Sequence, residues 1–156
     1  MQKEIEVDTV RAEFIEKIGV SAQNEGLPRI AGRVLGTLIF DGKPASFSDL
    51  AESLLVSRGS ISNSVRLLEE RLLIKRVAKA GDRQDYFQLA ENPYTSMLDG
   101  VVNRIARVKS EIDESLAQIP DDVDGPRARL AQYAGFYGAM VSGLEAALND
   151  LRQEKP

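Results

Sequence analysis

The 156 residues include no cysteine and no histidine. The first absence excludes a disulfide and a thiol-based sensor. The second removes the commonest residue of zinc sites and of general-base catalysis, and no metal site is expected. No apolar run approaches the ~20 residues of a membrane-spanning helix. The opening Met1-Gln2-Lys3-Glu4-Ile5-Glu6 lacks the apolar core of a signal peptide, so a cytoplasmic chain without a membrane partner is expected. Asp and Glu are scattered at solvating helix positions, and none accompanies a Gly-rich loop, a nucleophile elbow or a metal-ligand spacing. The sequence therefore offers neither catalytic residues nor a cofactor site. With 43% hydrophobic residues there is material for one domain, or one domain plus an oligomerisation element, rather than a large enzyme.

What is present centres on one stretch, Val56 to Leu73. Ile61, Val65, Leu68 and Leu72 recur at helical spacing and define a stripe that must be buried. The other face carries Gly59, Ser62, Asn63 and Arg66, flanked by Ser60: small hydrogen-bonding groups and a guanidinium in place of the Glu/Lys mixture of a solvated helix. Ser57 is placed as N-cap, turning free N–H groups and the positive end of the helix dipole outward beside Arg58, where a phosphate can sit. A capped amphipathic surface helix that binds nothing shares this pattern, and the neighbouring elements decide between the two. Upstream, Ser46-Phe47-Ser48-Asp49 has capping-box spacing and opens a short helix with Leu50, Ala51, Leu54 and Leu55 as its apolar residues. Two short helices that abut in this way are spaced as a helix-turn-helix. Downstream, Leu73 to Ala78 and Asp85 to Leu89 read as strands around a polar turn, a hairpin with a basic tip. Such a wing reaches along the DNA backbone or into the minor groove.

Charge follows the same division. From Ser57 to Arg83 the cations Arg58, Arg66, Arg71, Lys75, Arg76, Lys79 and Arg83 face only Glu69, Glu70 and Asp82, a local charge of +4 within a chain of net charge −4. A basic reading head on an acidic body suits a binder that must not adhere to every anion.

Elsewhere the pattern predicts a first helix over about residues 9–24, with Val10, Phe14, Ile15 and Ile18 as its stripe. A second runs from Pro28, in its first turn, to about Phe40, buried through Ile30, Val34, Leu35 and Leu38. Gly32 and Gly36 admit the close approach of another helix. Ala45-Ser46-Phe47 is a candidate third strand. A long helix is expected from about Tyr94 to Ile119, with Leu98, Val101, Ile105, Val108, Ile112 and Ile119 inward. After a loop, Pro126 is expected to open a last helix carrying Leu130, Ala134, Tyr137, Val141, Leu144, Leu148 and Leu151 in a heptad repeat. A second apolar line on that helix, through Tyr133, Phe136 and Met140, suits either packing within one copy or a twofold partner.

Gly-Arg-Val-Leu-Gly-Thr-Leu at 32–38, Leu-Ala at 50–51, Val-Ser-Arg-Gly-Ser-Ile-Ser at 56–62, Leu68-Glu69 and Gly-Asp-Arg-Gln-Asp-Tyr-Phe at 81–87 resemble the winged-helix MarR superfamily, most closely its GbsR-like branch. The resemblance covers about residues 12–92. It implies that the helix after the Val-Ser-Arg-Gly turn enters the major groove and that an Asp-Arg pair serves the wing, roles falling here to Arg58, Ser60, Ser62, Asn63, Arg66 and Arg83. Arg71 stands where relatives usually have Gly. The lack of cysteine excludes the peroxide sensing some relatives use.

The expected architecture is mainly α with a small β-wing, a winged helix-turn-helix with flanking dimerisation helices. Residues 1–27 would be an N-terminal helix of the dimerisation region, 28–92 the DNA-binding domain, and 93–156 C-terminal dimerisation helices. The DNA-contacting set is Ser57, Arg58, Gly59, Ser60, Ser62, Asn63 and Arg66, with Lys75, Arg76, Lys79 and Arg83 from the wing. The dimerisation set is Val10, Phe14, Leu130, Tyr137, Val141, Leu144, Leu148 and Leu151. Partners would be double-stranded DNA, a second copy and, by the resemblance, a small-molecule effector, for which Phe14, Tyr133, Phe136 and Tyr137 offer aromatic lining; some GbsR-like relatives sense quaternary amines, which aromatic faces hold by cation–π attraction. The function read from this is a homodimeric repressor on a palindromic operator. The alternative is a winged-helix interaction adaptor or antirepressor that no longer binds DNA, and against it stands the cationic face of Arg58, Arg66 and Arg83.

Overall fold

The computed structural model describes residues 1–154, apart from the side chains of residues 2–5. The chain forms two compact units, residues 1–93 and 94–156.

In the first unit, α1 (Gln2–Asn24) packs on α2 (Arg29–Asp41). Helix α1 opens well before residue 9, where the apolar pattern alone would start it; Val7 is exposed, and so is Val10, the first member of the expected stripe. Pro28 is the N-cap of α2, one position ahead of the first turn. Gly32 and Gly36 sit against the α1 backbone at Ile18, Gly19 and Ile15, so their spacing serves packing. Arg11 clamps the two helices by a bidentate pair to Asp41 at 2.7 Å for both bonds.

That bridge holds the Asp41 carboxyl below its usual range, chiefly through the hydrogen bonds from Arg11, against the opposing effect of burial. A depressed folded-state pKa contributes stability that is complete above the unfolded value, near about 4, and is lost as pH falls through the folded value. Arg11→Ala should therefore cost about 1–2 kcal/mol at neutral pH and progressively less below about pH 4. Equal losses at pH 7 and pH 3 in urea melts would show that the bridge is not the cause.

Ser46 ends β1 (Ala45–Ser46) and caps α3 (Phe47–Leu54). Its Oγ accepts from the Asp49 N–H at 3.1 Å, and the Asp49 carboxylate accepts from the Ser46 N–H at 2.8 Å. Phe47 begins the helix instead of extending the strand, and its ring meets Phe87 edge-on at 4.8 Å. Helix α3 stops at Leu55, which adopts a left-handed conformation (φ 54°) and is 91% exposed, so Leu55 leaves the apolar face to Leu50 and Leu54. Helix α4 (Arg58–Glu70) begins after the three residues Leu55, Val56 and Ser57. Its stripe is Ile61, Val65 and Leu68. Leu72 lies beyond the helix at φ 59° and 67% exposure, and Leu73 and Ile74 are buried in its place. The left-handed residue entering the wing, where glycine would be at ease, is thus Leu72 and not Arg71 (φ −86°).

Strands β2 (Ile74–Ala78) and β3 (Asp85–Leu89) pair antiparallel with Val77 opposite Tyr86, and β1 adds to the far side of β3, giving the order β1-β3-β2. Phe87, Leu38, Leu50, Ile61 and Leu68 form the centre of the core. The whole is mostly helical with one small antiparallel sheet, a winged helix.

The second unit consists of α5 (Pro93–Ala117) and α6 (Asp124–Gln153). Helix α5 ends before Ile119, and along its length Val102 is buried while the adjacent, expected Val101 is half-buried. Helix α6 opens at Asp124, two residues ahead of Pro126, which its first turn accommodates without a lost hydrogen bond. Arg127 donates to the Ile119 carbonyl at 3.0 Å and Arg152 pairs with Asp99 at 3.4 Å, tying both ends of the pair. Leu148 is 4% exposed. It is covered within one copy, whereas the other α6 members of the dimerisation set keep some exposure. Leu130, Tyr137, Val141 and Leu144 are partly exposed, and Leu151 more so. No described helix is long and apolar enough to cross a membrane.

Candidate nucleic-acid interface

Helix α4 has the two-faced character its sequence demands. Ile61, Val65, Leu68 and the small Ser64 are buried, while Gly59, Ser62, Asn63 and Arg66 are exposed. Ser57 caps the helix, accepting from the Ser60 N–H at 3.1 Å, and the two hydroxyls are hydrogen-bonded at 3.0 Å. Gly59 has open space around it; the nearest atom to a built Cβ would be Ser57 Oγ at 3.9 Å. No packing constraint within the chain requires glycine there. One turn on, the Arg66 guanidinium donates to Asn63 Oδ1 at 3.1 Å. This contact sets the amide's orientation and leaves its NH₂ free to donate outward. Both side chains line a recess of about 630 Å³ between α4 and the start of α2, with Ser60 and Glu70 on its rim.

Arg58 does not stand alone at the helix start. Its guanidinium donates to Ser48 Oγ and so links the first turns of α3 and α4. The N-terminal ends of both helices thus share one cation.

The wing sorts its cations by what already holds them. Arg76 donates to Asp85 at 2.9 Å and contacts both carboxylate oxygens of Glu69 at 3.3 and 3.4 Å, while its guanidinium lies 5.3 Å from the centre of the Phe87 ring. Hydrogen bonding to Glu69 is the main cause of its raised pKa. Arg76 is therefore a rivet joining α4, β2 and β3, its charge already balanced, and it adds little to an outward field. Lys75 reaches Glu91 at 3.3 Å, an exposed pair worth little. Lys79 places its ammonium 3.9 Å from the centre of the Tyr86 ring. Tyr86 in turn donates its hydroxyl to Asp82 at 2.7 Å, and Asp82 also accepts from the Gln84 N–H at 2.9 Å. These bonds push the Asp82 carboxyl below its usual range and the Tyr86 phenol above its own. Arg83, at the tip, has no side-chain partner among the described residues and is exposed.

The structure thus groups Ser57, Gly59, Ser60, Ser62, Asn63 and Arg66 on one helix, with Arg58 at its start and Lys79 and Arg83 on the wing tip. Sequence reasoning did not find Ser48, Glu69, Asp85 or Tyr86 as partners of these cations. Only Tyr86, four residues after Asp82, carried a local signal. Of the aromatic set, Phe14 packs on Phe40 in the first unit with ring centres 5.8 Å apart, whereas Tyr133, Phe136 and Tyr137 form an edge-to-face trio on α6 in the second. Tyr133 and Phe136 are 51% and 58% exposed.

The sequence pattern of the MarR family matches residues 25–85. The chain is similar to the HTH-type transcriptional regulator MmpR5 of Mycobacterium tuberculosis, with 31% identity over 142 residues, spanning 90% of this chain and 86% of that protein. It is also similar to the HTH-type transcriptional repressor OpcR of Bacillus subtilis, 27% identical over 92 residues, 59% of this chain and 50% of the relative. A crystal structure of a transcriptional regulator superposes with a TM-score of 0.72 at 30% identity, covering 92% of this chain and 99% of the other.

Proposed function

The chain belongs to the MarR family of winged-helix regulators, and on that premise we propose that it is a sequence-specific DNA-binding transcriptional repressor, not an enzyme, acting in the cytoplasm as a homodimer on a palindromic operator. The observation that carries this reading is α4: one face is completely buried, and the other offers Ser62, Asn63 and Arg66 with nothing over them, beside a glycine that leaves room for close approach. A major groove admits such a helix, and a guanidinium and an amide are the groups that read guanine and adenine edges. Arg58 and the wing cations Lys79 and Arg83 would position the helix by phosphate contact.

A second copy would supply the other half-site, with recognition helices about one turn of DNA apart. Its contact would draw on Val10, Leu144 and Leu151 and on the exposed Tyr133 and Phe136, which are more apolar surface than a solvated helix needs. The residues shared with the GbsR-like branch at 32–38, 56–62 and 81–87 support a place in that branch, and a small-molecule effector that releases the operator belongs to the same proposal.

Selection of bound sequences from random duplex DNA tests the reading, with a palindromic consensus as the expected result and no enrichment at low salt as the result against it. Affinity for the selected site should fall steeply with salt, by about −0.9 in log–log slope per neutralised phosphate, and Arg83→Ala should reduce the slope by about one such step. An unchanged slope would take the wing off the backbone.

A further inference from the structure

We infer that Tyr86 is a positioning residue of the wing, which through Asp82 and Lys79 fixes the tip in a DNA-ready shape before any DNA arrives; the inference rests on the DNA-binding reading above. Four contacts converge on the turn at 79–84. The Tyr86 hydroxyl donates to one Asp82 oxygen at 2.7 Å, the other accepts from the Gln84 N–H at 2.9 Å, the Asp82 N–H donates to the Lys79 carbonyl at 3.1 Å, and the Lys79 ammonium rests 3.9 Å from the Tyr86 ring centre. Gly81 supplies the left-handed step (φ 81°) that lets six residues close the hairpin. Arg83 sits between the two residues whose positions Asp82 fixes, its own and that of Gln84, and among the described side chains of the tip it is the cation left without a partner.

A surface loop of this size, rich in polar residues, has many accessible conformations, and ordering it on binding costs affinity. Here the phenol of Tyr86 is anchored in β3, opposite Val77. It takes the loop's one free carboxylate out of the path of an approaching phosphate and neutralises part of its repulsion by hydrogen bonding. The same ring keeps Lys79 on the wing surface through its π-face. One side chain thus deals with the anion that would oppose DNA and with a cation that would favour it, while touching neither base nor phosphate itself.

A preorganising residue and a phosphate contact differ in what salt does to them. Loss of a phosphate contact lowers the slope of log affinity against log salt. Loss of preorganisation lowers affinity at every salt concentration and leaves the slope unchanged. Tyr86→Phe keeps the ring under Lys79 and deletes only the hydroxyl. It should weaken duplex binding about 3–10-fold, the net worth of one ordinary hydrogen bond at an exposed site, at unchanged slope. Asp82→Ala should weaken it similarly, and the double variant should be no worse than Asp82→Ala alone. Exchange of the Gln84 amide in the free protein should accelerate in both single variants.

Wild-type affinity in Tyr86→Phe, or a slope reduced as in Arg83→Ala, overturns the assignment. Should the wild-type protein fail to bind any duplex, the functional reading falls by itself. The Gln84 amide then decides the clamp, since unchanged protection in Tyr86→Phe removes it and faster exchange upholds it.

Discussion

Gly32→Ala is expected to lower the stability of the first unit by about 3 kcal/mol or more, although alanine is the better helix former by about 1 kcal/mol. A Cβ at this position would lie 2.5 Å from Ala22 Cβ, 2.6 Å from the Ile18 carbonyl oxygen and 2.8 Å from Gly19 Cα. Two of those three atoms are backbone, so no rotamer change relieves the overlap and α1 must move away from α2 as a body. Movement would break the Arg11–Asp41 bridge at one end of the pair and uncover Ile15 and Ala22 at its centre. Against a typical total of 5–15 kcal/mol the loss is large. Gly59→Ala is the internal control: its Cβ would enter open space, and the helix-propensity gain of about 1 kcal/mol should appear as added stability. Urea melts of the two variants should therefore shift in opposite directions. A melt of Gly32→Ala that overlays the wild type would mean that the helices are not as close as described.

That contrast shows which parts of the fold its residues announce. The glycine pair at 32 and 36, the Ser46–Asp49 box and the Ser57 cap are local chemistry at fixed spacing, and the structure uses each as its spacing suggests. Leu55 and Leu72 are different. Each keeps the apolar rhythm of the helix before it, but each falls one or two residues past the helix end in a left-handed conformation that leucine adopts at a cost. Periodicity cannot register an end that no glycine marks: Leu72 falls in the stripe expected to be buried and Leu55 among the apolar residues of the short helix, and both are exposed. Similarly, Val101 and Val102 fit a three-four repeat equally well, and only tertiary packing selects Val102.

The interface was legible in composition and hidden in pairing. Seven cations between Ser57 and Arg83 mark the head as basic, but a formal count treats them alike. Arg76 is matched by Glu69 and Asp85, residues seven and nine positions away that only the α4–β2–β3 packing brings to it. Arg58 is held by Ser48, ten positions back across the helix-turn-helix. Arg66, Lys79 and Arg83 present charge outward, and Arg58, whose partner Ser48 is a neutral hydroxyl, keeps its charge at the shared start of α3 and α4. The same long-range closure explains the absence of any local signal for the Arg11–Asp41 bridge, whose members are thirty residues apart.

Arg66→Ala is expected to relax base preference at two neighbouring positions of each half-site, and Asn63→Ala at one. Arg66 can pair bidentately with guanine O6 and N7, and Asn63 with adenine N6 and N7, each worth about 1–3 kcal/mol against a wrong base. The asymmetry comes from the 3.1 Å bond by which Arg66 orients the Asn63 amide. Removing the guanidinium deletes one reader and frees the other to rotate, whereas removing the amide leaves Arg66 its remaining donors and an intact approach to guanine. The double variant should accordingly discriminate little worse than Arg66→Ala alone. Arg58→Ala makes the comparison sharp. Its guanidinium lies at the shared start of α3 and α4, where helix N-termini favour phosphate, so its loss should weaken every sequence about equally and leave the preferred bases unchanged. The measurement is affinity of the four variants for the selected operator and for a scrambled duplex at one salt concentration. Equal proportional losses on both duplexes for Arg66→Ala and Asn63→Ala would mean that α4 touches the backbone alone, and base reading would have to be sought on another element.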